Sequence, residues 1–419
     1  MKNCLIISPN FPPIGGVGVQ RISKFVKYMP DYGWNPIVIT IPLASGRKRI
    51  DDSMLNEFKH EPEIHRPYFF DYRKIVPGEI VKIFNLEENI FFPDKYITWN
   101  RFVIKKIKEI MKKNRIDLVF INSPPFSSIF TAKIIHDEFK LPVVINLRDP
   151  FSFNSYNVLN ENAKARNKAF MAEKEIFRRS EKIVVVTKVM LEEYKKLFPD
   201  ISDRFELITN GFDEEDFTNL DLKQKYSDKL TIGYNGTFSK LAPLAVLLEA
   251  IETILIHHNI KICLNLATST NIDKIKKQFK TLFDNGLIDF KGFLPHSESI
   301  ENLTQSNILS ALFTDSPATD GAYPGKVLEY LRMKRPVFLI NNKKGILTEL
   351  LQRTNSGVNA DINDKNDIIK KLLEFNDQFN KKSFVYDPDY DEISKFEYKF
   401  LTEKLAYIFD NIKNNSNKG

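Results

Sequence analysis

Pro12-Pro13-Ile14-Gly15-Gly16-Val17-Gly18-Val19-Gln20-Arg21 follows the apolar run Leu5-Ile6-Ile7 and leads into a helical pattern. The helix is read from Ile22, Phe25, Val26 and Met29, which recur at i, i+3, i+4 and i+7. A strand, a glycine-rich turn and a helix in this order form the first unit of a parallel α/β sheet. A second such mouth, Tyr323-Pro324-Gly325-Lys326-Val327-Leu328-Glu329-Tyr330-Leu331, lies late in the chain. A helix N-terminus carries unpaired N–H groups and a partial positive charge, which suits phosphate. Two mouths, one in each half, predict a diphosphate ligand held in a cleft between two domains.

Working outward, apolar runs over 5–8, 37–41, 117–122, 142–147, 182–187 and 206–209 alternate with amphipathic stretches. A second series covers 230–235, 261–267, 288–291, 309–313 and 336–340. This pattern predicts two mostly parallel sheets with right-handed crossovers. The expected division is an N-terminal Rossmann-like domain over 1–212, a linker over 213–228 and a C-terminal Rossmann-like domain over 229–385. A crossover helix over 386–413 and a frayed tail over 414–419 complete it. The aromatic-rich region 43–96 reads either as a functional insertion or as a partly helical cover over the sheet edge.

At 419 residues the chain exceeds one ordinary core, and 42% hydrophobic with 27% charged residues fits a globular protein. The two cysteines, Cys4 and Cys263, sit in apolar runs and read as core residues of a reducing compartment. No signal peptide is read at the start, and no apolar stretch approaches the roughly 20 residues of a membrane span. The expected location is cytoplasmic, with a peripheral position at the inner face of the membrane as an extension. A net charge of +7 suits an anionic ligand or surface, and no nucleic-acid-binding module is present. The basic amphipathic stretch Arg101–Arg115 reads either as a solvated helix face or as a contact for anionic lipid.

Ligands of open parallel sheets bind at the carboxyl ends of strands. Gly15, Gly16 and Gly18, then Ser123-Pro124-Pro125, Arg148-Asp149-Pro150, Asn210-Gly211-Phe212-Asp213 and Asn235-Gly236-Thr237 all fall there. Each is also ordinary turn chemistry. His60, His65, His136, His257, His258 and His296 show no ligand spacing, so no metal is expected. Asp387-Pro388-Asp389 mimics a metal-binding Asp-x-Asp but lies in the joint before the final helix, and is discounted.

Together these stretches resemble retaining glycosyltransferases of family 4, which have the GT-B fold. The resemblance also includes Phe92-Pro93-Asp94 with Trp99, 122–128, 141–150, Thr209-Asn210-Gly211-Phe212-Asp213, and Lys334-Arg335-Pro336-Val337 after the late glycine mouth. It implies two Rossmann-like domains facing across a cleft, with a C-terminal helix returning to the first. It further implies sugar transfer from a nucleoside-diphosphate-sugar to a glycan or lipid-linked acceptor hydroxyl in surface polysaccharide biosynthesis, without cofactor or metal. Carried over, Glu329 would accept hydrogen bonds from the ribose hydroxyls. The backbone of Tyr323, Pro324, Gly325 and Lys326 would hold the diphosphate, with Lys326 assisting. Asn235 and Gly236 would line the donor site, with Lys240 supplying a second positive group. Gly15, Gly16 and Gly18 would allow close approach of donor or acceptor. Arg148 or Asp149 stands where the family often has a polar residue beside the donor sugar. From the residues alone, Glu329 reads as an ordinary exposed helix carboxylate, Lys326 either as a solvated first-turn lysine or as a ligand group, and Arg148 and Asp149 as pairing with each other or with surface groups. The family's second acid falls at Gly321, with Asp320 out of register, and its Arg–Lys diphosphate pair retains only Lys240. An epimerase or hydrolase on the same scaffold, or a degenerate sugar-nucleotide-binding partner, are the alternative expectations.

Overall fold

A computed structural model describes residues 1–15, 17–43, 50–83, 90–153, 163–239, 242–314, 321 and 323–416. The chain divides into two units, Met1–Thr209 with Tyr398–Gly419, and Asn210–Glu397.

The first unit holds a seven-stranded sheet of β1 (Lys2–Ile7), β2 (Trp34–Ile39), β3 (Glu63–His65), β4 (Leu118–Ser123), β5 (Val143–Leu147), β6 (Lys182–Val185) and β7 (Phe205–Leu207). The order is β3-β2-β1-β4-β5-β6-β7, parallel throughout. Both faces of the sheet are covered, so its strands are continuous apolar runs whose alternate residues enter different cores. Leu5, Ile7, Val119, Ile121, Val143 and Ile145 pack on one side, with Val103, Ile107 and Ile110 of the helix Asn100–Met111. Cys4, Ile6, Leu118, Phe120 and Val144 pack on the other. There they meet Ile22, Phe25 and Val26 of the helix Val17–Tyr28, and Leu401, Leu405 and Phe409 of the last helix, Tyr398–Ser416. Lys413 to Asp117 (2.7 Å) and the indole of Trp34 to Asp410 (2.9 Å) fasten that last helix to the sheet it covers.

The second unit holds six strands: β8 (Thr231–Asn235), β9 (Cys263–Ala267), β10 (Ile288–Gly292), β11 (Ile308–Leu312), β12 (Val337–Asn341) and β13 (Gly357–Asp361). Their order is β10-β9-β8-β11-β12-β13, again parallel. Ile232, Tyr234, Leu264, Ile308 and Phe338 build one core, and Leu309, Ala311, Val337, Val327 and Leu328 the other. In both sheets the strand order reverses beside the first strand of its unit, between β1 and β4 and between β8 and β11. That reversal is the switch point at which α/β folds bind ligands.

The sequence reading omitted β3 and β13. Both are short edge strands, with burial that is partial at most positions, so neither forms an apolar run. The stretch 213–228 packs within the second unit, where Phe217 is buried and Asn307 Nδ2 donates to the Lys225 carbonyl at 2.6 Å. The helix expected over 386–413 is two helices, Tyr390–Ser394 in the second unit and Tyr398–Ser416 in the first. The break falls where Phe212 N–H donates to the Phe396 carbonyl at 3.0 Å. The described part of 43–96 supplies β3 and a cover: Phe69 and Phe92 enter the core, and Tyr72 stacks on Phe91 with centroids 3.6 Å apart. Among the described residues no helix is long and apolar enough to cross a membrane.

Candidate functional site

At the carboxyl edge of the first sheet the polar side chains are chiefly bonded to one another. Asn122 ends the apolar run of β4, and Asn146 stands within that of β5; both are buried. Asn146 Nδ2 donates to Asn122 Oδ1 (2.8 Å), Asn122 Nδ2 to Ser8 Oγ (3.1 Å), and Ser8 Oγ to the Asn10 carbonyl (2.7 Å). Arg21 closes the ladder from the helix Val17–Tyr28. Its guanidinium donates to Asn146 Oδ1 (3.1 and 3.3 Å), to the Ile208 carbonyl (2.8 Å) and to the Thr209 carbonyl. Burial lowers its pKa to about 10. The opening motif's arginine therefore ties the first helix to the exit of the first unit.

Arg148 lies above this ladder. Its backbone N–H donates to the Ser123 carbonyl (2.9 Å) and Nη2 to the Pro124 carbonyl (3.0 Å). This side chain packs onto Gly18, where a Cβ would stand 2.4 Å from Arg148 Nη1 and force the guanidinium to shift. Gly16 lies outside the described residues, and Gly15 is half-buried just before them. Arg148 Nε is buried without a partner. Burial lowers the Arg148 pKa and raises that of Asp149, each opposed by the other's charge. Neither forms an ion pair with a described residue.

The loop that carries both is supported from behind by Glu173, a buried residue of the helix Ala163–Phe177 that sequence reasoning missed. Its Oε1 accepts from Tyr194 Oη (2.6 Å) and Ser152 N–H (3.3 Å), and Tyr194 Oη accepts from Phe151 N–H (3.1 Å). Its Oε2 has no partner, and burial raises the carboxyl to about 7. An acid inside an otherwise ordinary amphipathic helix carries no signal until the helix is docked.

In the second unit, β8 ends at Asn235, whose N–H donates to Tyr330 Oη (2.9 Å). Its Nδ2 donates to the carbonyl and hydroxyl of Ser299, each at 2.6 Å, and its Oδ1 is buried without a partner. Gly236 follows at φ +111°, where an L side chain is strained. Beside it the helix Gly325–Arg332 begins at Pro324, with no side-chain cap and no acid in its first turn. Tyr323 offers its carbonyl to Asn210 Nδ2 (2.9 Å) and rests its ring on Phe396.

Lys326, in that first turn, places Nζ 4.1 Å from the Tyr234 ring centroid and 5.5 Å from that of Phe313. A Cβ on Gly236 would lie 3.9 Å from the same nitrogen. No carboxylate of a described residue pairs with it, and burial lowers its amine to about 7. Glu329 stands three residues on, with its side chain 16% exposed and Oε1 at 2.9 Å from His296 Nε2. Neither Lys326 nor Glu329 is a solvated helix side chain. The structure brings Asn235, Gly236 and Lys326 together, with Glu329 one helical turn beyond. Lys240 and Asp320 lie outside the described residues, and Gly321 is half-buried. Asp389 of the discounted Asp-x-Asp caps the helix Tyr390–Ser394 by accepting from Glu392 N–H (2.9 Å).

This pair of switch-point sheets is the GT-B glycosyltransferase fold. The Glycosyltransferase Family 4 model matches residues 54–216. Sucrose-phosphate synthase from Thermosynechococcus elongatus superposes with a TM-score of 0.69 at 14% identity, covering 98% of this chain and 99% of that one. HepE from Anabaena, solved with UDP and glucose, gives 0.65 at 13% identity, covering 97% and 99%. A protein named as a UDP-N-acetylglucosamine 2-epimerase, from Listeria monocytogenes, gives 0.56 at 13%, covering 100% and 98%. No curated protein matches the chain by sequence.

Proposed function

We propose that the chain transfers a sugar from a nucleoside-diphosphate-sugar to an acceptor hydroxyl, with retention of configuration. The observation that carries this reading is Lys326. A half-buried amine beside an uncapped helix start, facing two aromatic rings and no described carboxylate, is a receptor for an anion. A diphosphate there restores the amine's charge, because an opposite charge offsets desolvation. The same two positive elements stabilise charge on the departing diphosphate, which is preorganised electrostatic catalysis. Glu329 accepts from the ribose hydroxyls, and Asn235 and Gly236 line the donor pocket. Gly15, Gly16 and Gly18 and the pair Arg148 and Asp149 are assigned to the transferred sugar and the acceptor, and Lys240 adds a second positive group.

The reaction runs without a metal or cofactor, so EDTA leaves the rate unchanged. The acceptor is a glycan or lipid-linked hydroxyl of surface polysaccharide synthesis. The exposed lysines of the helix Asn100–Met111 reach it at an anionic membrane on the cytoplasmic side. HepE in complex with UDP and glucose supports a UDP-sugar as the first donor to test.

The test is a thermal-shift screen of UDP, GDP, ADP and their sugars on the parent chain and on Glu329→Ala, followed by donor consumption with and without membrane extract as acceptor. Donor consumed only with acceptor supports the transferase. Consumption without acceptor replaces it by an epimerase or hydrolase, and binding without consumption by a degenerate partner protein.

A further inference from the structure

We propose that His296 is a positioning residue for Glu329, and that the helix His296–Leu303 is the platform that sets the donor's ribose. The inference rests on the ribose role given to Glu329 above. His296 opens this helix and holds Glu329 Oε1 at 2.9 Å, with both side chains largely buried. Three residues on, Ser299 holds Asn235 through its carbonyl and its hydroxyl, each at 2.6 Å. Residues three apart share a helix face, so one face grips two motif residues from distant parts of the chain. Ile300 and Leu303 anchor the helix in the core that also receives Val327 and Leu328, the residues just before Glu329.

A carboxylate has about four acceptor positions, so one bond from imidazole leaves room for both hydroxyls of a vicinal diol. The bond matters for what it immobilises. Glu329 has three side-chain torsions, and holding it before the nucleotide arrives removes that ordering cost from binding. Asp216 places a carboxylate oxygen within 4.8 Å of a His296 ring nitrogen, and an ionised Glu329 carboxylate can only accept. The imidazole then donates and Glu329 accepts, which leaves the carboxylate fully an acceptor for the diol.

The experiment is calorimetric titration of the full chain with UDP, GDP and ADP, repeated with the 2′,3′-dideoxy form of the tightest. A positioning role predicts that His296→Ala weakens the ribonucleotide about tenfold, the size of one hydrogen bond to a charged group, and leaves the dideoxy form unchanged. His296→Gln carries an N–H to nearly the same point and restores most of the affinity. His296→Asn falls short of Glu329 and behaves like alanine. Equal loss for both nucleotides, or loss for neither, overturns the proposal. Should the alanine variant fail to fold, as judged by its melting curve, the glutamine and asparagine variants decide, and equal affinities for them overturn it. Glu329→Ala separates the two levels. If that variant keeps parental ribonucleotide affinity, or if no nucleotide binds the parent, the ribose reading fails and takes this inference with it. If Glu329→Ala binds weakly and His296→Ala binds normally, only the positioning role fails.

Discussion

Arg21, which is buried, and Lys326, which is half-buried, are both cations at the switch point of a parallel sheet, and their surroundings differ in kind. Arg21 donates to a side-chain amide and two backbone carbonyls, and that amide belongs to a ladder running back to Ser8. Lys326 has two ring faces, an open glycine and no described carboxylate. The first cation is satisfied by the fold. The second has no carboxylate partner among the described residues, and in the proposed function an anionic ligand supplies one.

The sharpest way to break this contrast is to remove each cation. Arg21→Ala strands Asn146 Oδ1, the buried Ile208 carbonyl and the part-buried Thr209 carbonyl, and is expected to cost about 3–5 kcal/mol by urea denaturation. Lys326→Met removes a charge that burial disfavours, so stability holds or rises. Donor affinity measured by calorimetry falls about 10- to 100-fold, the worth of a charge-assisted bond. If Lys326→Met unfolds the protein and Arg21→Ala does not, the assignment of the two is reversed.

Glu173 extends the comparison through pH. Its native carboxyl is raised from 4.5 to about 7, so the native state binds the extra proton between those values. This contribution to stability is fully present below about pH 4.5 and is lost as pH rises through about 7, amounting to about 3 kcal/mol. Glu173→Gln, which mimics the protonated acid, flattens that slope in melts taken between pH 5 and 8. Lys326 acts in the opposite sense. Its native pKa is lowered to about 7, so its contribution is present above the ordinary lysine range and lost as pH falls through about 7. Lys326→Met removes that rise on the alkaline side.

The smallest expected effect belongs to Gly18→Ala. A Cβ there displaces the Arg148 guanidinium, a movable group held to the Pro124 carbonyl, so stability falls by only about 1 kcal/mol. Turnover falls further than stability does if Arg148 serves the reaction. Unchanged turnover in a donor-consumption assay removes Arg148 from the site.

Much of this molecule is legible in the order of its residues. Central strands such as β1, β4, β5, β8, β11 and β12 are apolar on both faces, so their runs are unmistakable, and the glycine mouths mark the turns that follow β1 and precede Lys326. Edge strands β3 and β13 escape notice because one side of an edge strand needs no apolar residue. Asn122 and Asn146 carried a faint signal, as polar residues at or near the ends of apolar runs. Glu173, Tyr194 and His296 carried none, because each gains its meaning from a partner brought near by folding. Tyr194 is 21 residues from Glu173, and Glu329 is 33 from His296.

Hydrophobic period, strand–helix alternation and turn chemistry are local properties, and they were enough to specify two parallel α/β units and the strand ends at which the candidate site lies. Which cation is paired, which carboxylate is held, and which glycine admits a guanidinium were decided only by the tertiary structure. Pairing and desolvation depend on distances between groups far apart in the chain, and those distances come into existence only when the sheets close over their cores.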